Sequence, residues 1–168
     1  MKKRPILPTI ITLLLLVMLS SECNKPPKFS EIPHITFQSI DKIENDLGYD
    51  DKAILNIHFQ DGDGDIGLDD NDIMAPFDTS SVYFYNWFID FYEKQNGQLV
   101  KINVNNNARI PRLSNTYPEP IEGDLSLEIY INNYFSPYDT VVLECSIVDR
   151  ELQHSNVIRT PEIIVKKH

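Results

Sequence analysis

The sequence contains few cysteines, and their number limits how the fold can be stabilised. Only two occur among 168 residues, Cys23 and Cys145. Small exported domains without a sufficient core usually depend on several disulfides, and this chain could form one at most. Its stability must therefore come from a hydrophobic core or from a bound metal ion. Hydrophobic residues make up 42% and charged residues 24% of the chain, which is typical of a globular protein and argues against global disorder.

Basic residues are also scarce. The chain has 15 Lys and Arg against 25 Asp and Glu, a net charge of −10. Residues 1–22 include three basic residues and one acidic residue, so removing them would leave a net charge of −12. Binding to nucleic acid or to anionic lipid headgroups requires a basic face. We therefore expect no nucleic acid as a partner, whereas divalent cations are compatible with this charge.

The familiar catalytic motifs are missing too. We find no Gly-x-Ser-x-Gly, phosphate-binding loop or dinucleotide fingerprint. The four histidines do not show metal-ligand spacing: His34, His58, His154 and His168. We interpret Asp149-Arg150-Glu151 as a strand end with a salt-bridging arginine, not as an acid/base cluster. We therefore expect no enzyme, and a hydrolase with a site assembled only in the fold is the catalytic alternative.

The one long apolar run lies at the N-terminus. Three basic residues precede Ile6 to Leu19, and small residues follow, as in a secretory signal. As a helix this run would rise about 21 Å, less than the hydrocarbon core of about 30 Å. The pattern therefore predicts a signal helix within residues 1–22 that is cleaved, not a permanent membrane span.

Cys23 follows this leader directly. The segment Leu19-Ser20-Ser21-Glu22-Cys23 resembles a lipobox, at which bacterial lipoproteins are cleaved and acylated. Glu22 departs from the usual small residue, and the alternative is an ordinary signal-peptidase cut after Ser21. With cleavage before Cys23 and lipidation there, residues 23–31 would be a polar, proline-stiffened tether. Fatty-acyl chains such as palmitate on Cys23 would anchor the protein to a membrane of the cell envelope.

From residue 32 onward, apolar and polar residues alternate, and the helical period is hard to find. The clearest stretches are 35–38, 53–60, 125–132 and 141–148, each with one apolar face, as in half-buried antiparallel strands. Cys145 lies on such a face, so we interpret it as a small buried hydrophobe. About seven short strands predict an all-β, two-sheet antiparallel sandwich of the immunoglobulin or fibronectin kind over residues 32–168.

The most apolar stretch after the leader is Val82 to Tyr92, for which the pattern predicts one long central strand. Asn96-Gly97 follows it and precedes Leu99 to Ile102, which is a strong signal for a hairpin. A last strand, Ile158 to Val165, contains Pro161, and this suits a sheet edge.

Three aromatic side chains share one face of the predicted central strand: Tyr83, Tyr85 and Trp87. Packing in the core is the simpler explanation, and we predict that Trp87 is buried. The alternative is a partly exposed platform that stacks on a glycan or binds a peptide.

The chemically distinctive segment is Asp61 to Asp72, with six carboxylates in twelve residues. Five of them have the ligand spacing of an EF-hand loop: Asp61, Asp63, Asp65, Asp69 and Asp72. Ile66 stands where that loop requires glycine, and a predicted strand precedes it, so a true EF-hand is excluded. Two alternatives remain: a calcium-binding turn of another shape with these five ligands, and a solvated acidic loop.

Several segments together resemble a known group of proteins: Phe59 to Leu68 (FQDGDGDIGL), Arg109 to Leu113, Ile121 to Asp124, Ile147 to Arg150 and Ser155 to Ile163. The combination resembles envelope lipoproteins of Bacteroidota-type bacteria that carry a β-sandwich domain. The resemblance spans most of residues 53–165 and includes the leader. It implies the envelope location and the fold, but no activity. In such bacteria an acidic run after the lipid cysteine marks surface export, and residues 24–30 contain no acid, which favours the periplasmic side.

The sequence thus predicts a non-catalytic envelope lipoprotein that is a structural or interaction module. Its expected partners are the membrane, through the lipid anchor, and an unidentified envelope protein or glycan. A glycan- or peptide-binding module that uses the aromatic strand is the first alternative, and a hydrolase is the second.

Overall fold

The computed structural model describes residues 28–167, so the leader, Cys23 and His168 lie outside the described residues. Within that range the chain forms eight strands and one short 3-10 turn. In chain order they are β1 His34–Glu44, β2 Asp50–Asp61, the 3-10 turn Val82–Phe84, β3 Trp87–Gln95, β4 Gln98–Ile102, β5 Ile121–Tyr130, β6 Thr140–Ile147, β7 Ile158–Arg159 and β8 Ile163–Ile164.

The strands form two antiparallel sheets. The first sheet has the order β1-β2-β5, and the second has the order β4-β3-β6-β7, with β8 also pairing with β6. Neither sheet closes into a barrel. The predicted all-β, two-sheet antiparallel sandwich is therefore confirmed.

The core lies between the sheets and follows directly from the alternation in the sequence. In β2 every second residue is almost fully buried: Ala53, Leu55, Ile57 and Phe59. Ile89, Phe91 and Leu143 of the second sheet belong to the same hydrophobic cluster. Burial of such aliphatic and aromatic side chains is the main favourable contribution to folding, about 1.5–3 kcal/mol for each large side chain.

Two local predictions are confirmed by the strand pairing. Asn96 and Gly97 connect β3 to β4 with φ angles of 52° and 84°, the left-handed values that a tight hairpin turn requires. The last strand is divided by Pro161 into β7 and β8, both of which pair with β6.

The prediction of one long strand from Val82 to Tyr92 is wrong in its first half, because β3 begins only at Trp87. The side chain of Ser81 accepts a hydrogen bond from the backbone N–H of Tyr83 and thereby caps a 3-10 turn. Such local side-chain capping competes with strand pairing. Tyr83 and Tyr85 consequently lie outside the sheet, and only Trp87 of the predicted aromatic stripe belongs to it.

Trp87 and Cys145 are both in the core, each 3% exposed, as predicted. Burial raises the pKa of the Cys145 thiol to about 11, so this side chain packs as a hydrophobe and not as a reactive thiolate. Residues 28–167 contain no helix that is long and apolar enough to cross a bilayer.

Candidate metal centre

The acidic site begins where the buried face of β2 ends. Along β2 the odd-numbered residues point into the core, and the next one in this series is Asp61, which is 0% exposed. Transfer of a carboxylate from water to such an environment is unfavourable unless the charge is compensated. The strand therefore places an acid where the fold must neutralise it or bind a cation.

The chain after Asp61 turns sharply and brings two further acids back to it. Gly64 and Gly67 adopt φ angles of +75° and +100°, and a Cβ atom at either position would lie 2.2 Å from a backbone carbonyl oxygen. Only glycine fits such positions without strain. The backbone N–H of Asp65 then donates a 3.0 Å hydrogen bond to Oδ2 of Asp61.

Asp61, Asp63 and Asp65 form a compact carboxylate triad. One oxygen from each side chain lies within 4.8 Å of the others, and the three residues are between 0% and 7% exposed. The Oδ1 atom of each residue is buried and has no hydrogen-bond partner. Buried polar atoms are nearly always paired, so three unpaired oxygens in one cluster of carboxylates require an explanation.

The electrostatics of the triad show how unfavourable it is without a cation. Burial, together with the negative charges of Asp63 and Asp65, raises the pKa of Asp61 to about 7. Burial and the charge of Asp63 raise the pKa of Asp65 to about 6. A positive ion between these groups would oppose both effects.

A fourth buried acid lies at the end of the opposite sheet. Asp149 is 1% exposed, and its Oδ1 atom accepts a 2.8 Å hydrogen bond from the backbone N–H of Gln153. Its Oδ2 atom is buried and has no partner. Burial and the charges of Asp65 and Asp63 raise the pKa of this carboxyl to about 7. The sequence interpretation did not include Asp149 in the site.

A signal for Asp149 was nonetheless present in the sequence. The inward face of β6 is a series of odd-numbered residues in the core cluster: Val141, Leu143, Cys145 and Ile147. The next residue in that series is Asp149, just as Asp61 is the next in the series of β2. An acid that continues the apolar face of a strand is a candidate for a buried charge.

Asp69 and Asp72, the other two acids in the predicted ligand set, do not belong to the triad. Asp69 forms a 3.3 Å ion pair with Arg112, and both oxygens of Asp72 accept hydrogen bonds from Arg150. The arginine also lowers the pKa of Asp72. The interpretation of Arg150 as a salt-bridging residue is confirmed. These ion pairs compensate the charges of the two carboxylates.

The dimensions of the triad suit a hard cation. Two oxygens bound to one calcium ion are separated by at most twice the bond length, about 4.6–5.2 Å, and the triad lies within this limit. Asp65 also lines a cleft of about 270 Å³ with Arg112, Tyr117, Arg150 and Glu151, which offers a route from solvent. The triad can therefore hold a metal ion.

The aromatic residues occupy a different part of the molecule. Tyr85 lines a cleft of about 560 Å³ beside β3 and β4. Its polar lining is Asp90, Lys101, Asn103, Asn105 and Asn107. Tyr83 instead makes an edge contact with His154, with ring centroids 5.9 Å apart.

Comparison of the chain with protein-family models, with curated proteins and with solved structures returned no match.

Proposed function

We propose that this protein is a non-catalytic lipoprotein of the cell envelope whose sandwich domain is completed by a calcium ion at Asp61, Asp63 and Asp65. The observation that supports this proposal is a buried cluster of three carboxylates, each of which keeps one buried oxygen without a partner. The ion replaces the stabilisation that disulfides supply in other exported domains. The domain acts as a structural or interaction module in the envelope.

Calcium fits the triad better than magnesium for two reasons. Magnesium requires near-ideal octahedral geometry and usually keeps several of its waters, whereas calcium accepts six to eight oxygens in irregular arrangements. The carboxylates here are almost completely buried, so they leave little room for a hydrated ion.

The first described residues of the chain pack against the acidic loop. The backbone N–H of Gly62 donates a 2.8 Å hydrogen bond to the carbonyl oxygen of Ser30. A Cβ atom on Gly62 would lie only 2.6 Å from the carbonyl carbon of Ser30. Calcium at the triad would therefore order the loop against which Ser30 packs.

Thermal unfolding with and without metal tests the calcium site. An ion that binds only the folded state stabilises it by RT ln(1 + [L]/Kd), about 1.4 kcal/mol for millimolar calcium at a site with a Kd of about 0.1 mM. For a domain of this size we expect a rise of a few degrees in melting temperature over EDTA. Equal midpoints in EDTA, calcium and magnesium would refute the proposal.

Two variants provide the matched comparison. Replacing Asp63 and Asp65 together with asparagine should abolish the calcium-dependent shift, because it removes two ligand charges. Asp69→Asn makes the same chemical change in the same loop, but this carboxylate is paired with Arg112, so the shift should persist. If Asp69→Asn also abolished the shift, the five-ligand arrangement expected from the EF-hand spacing would be favoured instead.

A second candidate function is glycan binding in the cleft beside Tyr85. A half-buried tyrosine ring and several amide side chains line this cleft, and planar rings and amides are groups that recognise sugars. The predicted platform would therefore consist of Tyr85 without Trp87, which packs in the core. A glycan array should show binding that is lost in Tyr85→Ala and kept in Tyr83→Ala. Turnover in a panel of hydrolase substrates would contradict the non-catalytic proposal.

A further inference from the structure

We propose that Asp149 is a fourth carboxylate ligand of the same ion, so that the metal connects the end of β2 in one sheet to the end of β6 in the other. This inference rests on the proposed calcium site and specifies its ligands and its mechanical role. A site built from the acidic loop alone would order only that loop. A site that includes Asp149 would hold the two sheets of the sandwich together at one end.

Asp61 and Asp149 hold corresponding positions in the residue series of their own strands. Each continues the inward-facing series of its own strand, and each is reached after the last apolar residue of that series, Phe59 in β2 and Ile147 in β6. Because the inward faces of the two sheets oppose each other, acids at these positions point into the space between the sheets. The turn at Gly64 and Gly67 then adds Asp63 and Asp65 to this space.

Contacts between the two loops support the same arrangement. The backbone N–H of Glu151 donates a 3.2 Å hydrogen bond to Oδ2 of Asp65. The loop that carries Asp149 therefore contacts the triad directly. The backbone N–H of Gln153 holds one oxygen of Asp149, so the other oxygen, Oδ2, is left buried, without a partner, and available for coordination.

Two other buried acids, Glu93 and Asp50, do have protein partners. Glu93 is also the next inward residue of its strand, after Phe91, and its two oxygens accept hydrogen bonds from Asn133, Gln95 and Ser136. Buried Asp50 accepts from Lys42 and from the backbone N–H of Lys166. Asp61, Asp63, Asp65 and Asp149 each keep a buried oxygen without a protein partner. A shared cation is the partner that would satisfy all four at once.

The test is Asp149→Asn in the full-length protein, purified in a mild detergent, with calcium binding measured by isothermal titration. Asparagine keeps an oxygen for the hydrogen bond from Gln153 and removes one negative charge. We expect calcium affinity to fall about tenfold or more, because ligand charge count sets affinity in such sites. In EDTA the variant should melt at the same temperature as the wild type or higher, since one source of repulsion is gone.

This pair of opposite changes distinguishes a ligand from a residue that merely packs. A purely structural Asp149 would give a lower melting temperature in EDTA with unchanged calcium affinity, and that result would overturn the inference. Glu151→Gln removes a neighbouring charge on an exposed side chain and should change the affinity less than Asp149→Asn. Equal effects of the two variants would assign the loss to general electrostatics and would also overturn it.

Failure of this inference can be separated from failure of the proposed calcium site. If the wild type binds calcium and Asp149→Asn binds it equally well, the site consists of the triad without Asp149. If the wild type shows no heat of binding and no thermal shift with calcium, the site itself is refuted and Asp149 has no ion to bind.

Discussion

At the scale of single residues, the burial of Trp87 decides between two roles for its side chain, packing in the core and ligand binding. It is almost fully buried between the sheets. Trp87→Ala should reduce the free energy of unfolding by about 3–5 kcal/mol, because a large cavity replaces the indole. Urea denaturation measures this loss. Trp87→Phe should retain much more stability, whereas a Trp87→Ala protein as stable as the wild type would show that the indole is not a core residue.

Two glycines with left-handed φ angles provide a second prediction at this scale. Gly97 in the β3–β4 turn has no atom within 4 Å of an added Cβ, whereas at Gly67 the Cβ would lie 2.2 Å from the carbonyl oxygen of Pro111. Gly97→Ala should therefore destabilise by about 1 kcal/mol, from the φ angle alone. Gly67→Ala adds a backbone clash, so its melting temperature should fall clearly further. Equal effects would mean that the acidic loop relaxes freely.

At the scale of the elements, replacing a buried carboxylate with its amide should change the free energy of unfolding differently at Glu93 and at Asp149. Both carboxylate oxygens of Glu93 in β3 accept hydrogen bonds, from three side-chain donors in total. In Glu93→Gln one oxygen becomes an amide that faces a donor, which should cost about 1–3 kcal/mol. Asp149→Asn should be neutral or stabilising in EDTA. Chemical denaturation of both variants in EDTA measures this difference, and destabilisation of both by the same amount would contradict it.

At the scale of the whole molecule, the acidic centre should give the metal-free protein an unusual dependence on pH. In the folded state the pKa of Asp61 and of Asp149 is about 7 and that of Asp65 is about 6, all above the usual 3.8. The folded state therefore binds more protons than the unfolded chain between about pH 4 and pH 7. Stability in EDTA should fall as the pH rises through this range.

Calcium should reverse this trend, because it competes with protons for the same oxygens. The charged groups around these carboxyls are Asp63, Glu151 and Arg150. The rise in melting temperature caused by calcium should therefore be small near about pH 5 and large near about pH 8. Melting curves at both values, in EDTA and in calcium, test this. A metal-free protein that becomes more stable from pH 5 to pH 8 would contradict the prediction.

The membrane anchor is also a property of the whole molecule. Cys23 follows the apolar leader directly, and acyl chains on it would be sufficient for stable anchoring. The wild-type protein should enter the detergent phase in Triton X-114 partition, and Cys23→Ser should move to the aqueous phase. Recovery of the wild type from the aqueous phase would refute lipidation at this residue.

The amino-acid sequence by itself determined the architecture, because alternation with a period of two residues specifies which face of a strand is buried. The apolar face of β2, the burial of Cys145 and the turn at Asn96-Gly97 all follow from such local patterns. The prediction of a long strand from Val82 is wrong for a reason that is also local. A serine that caps a 3-10 turn overrides the apolar pattern, and this competition is hard to predict from composition.

Only the tertiary structure decided which acids belong together. The spacing of aspartates predicted five ligands within one loop, but Asp69 and Asp72 pair with Arg112 and Arg150, and Asp149 approaches from a strand end 88 residues away from Asp61 in the sequence. Sequence spacing describes neighbours along a chain, whereas desolvation and charge act through space. Two strands in opposite sheets each continue their buried face to an aspartate, Asp61 and Asp149, and the charges of these residues act on each other only when the sheets pack.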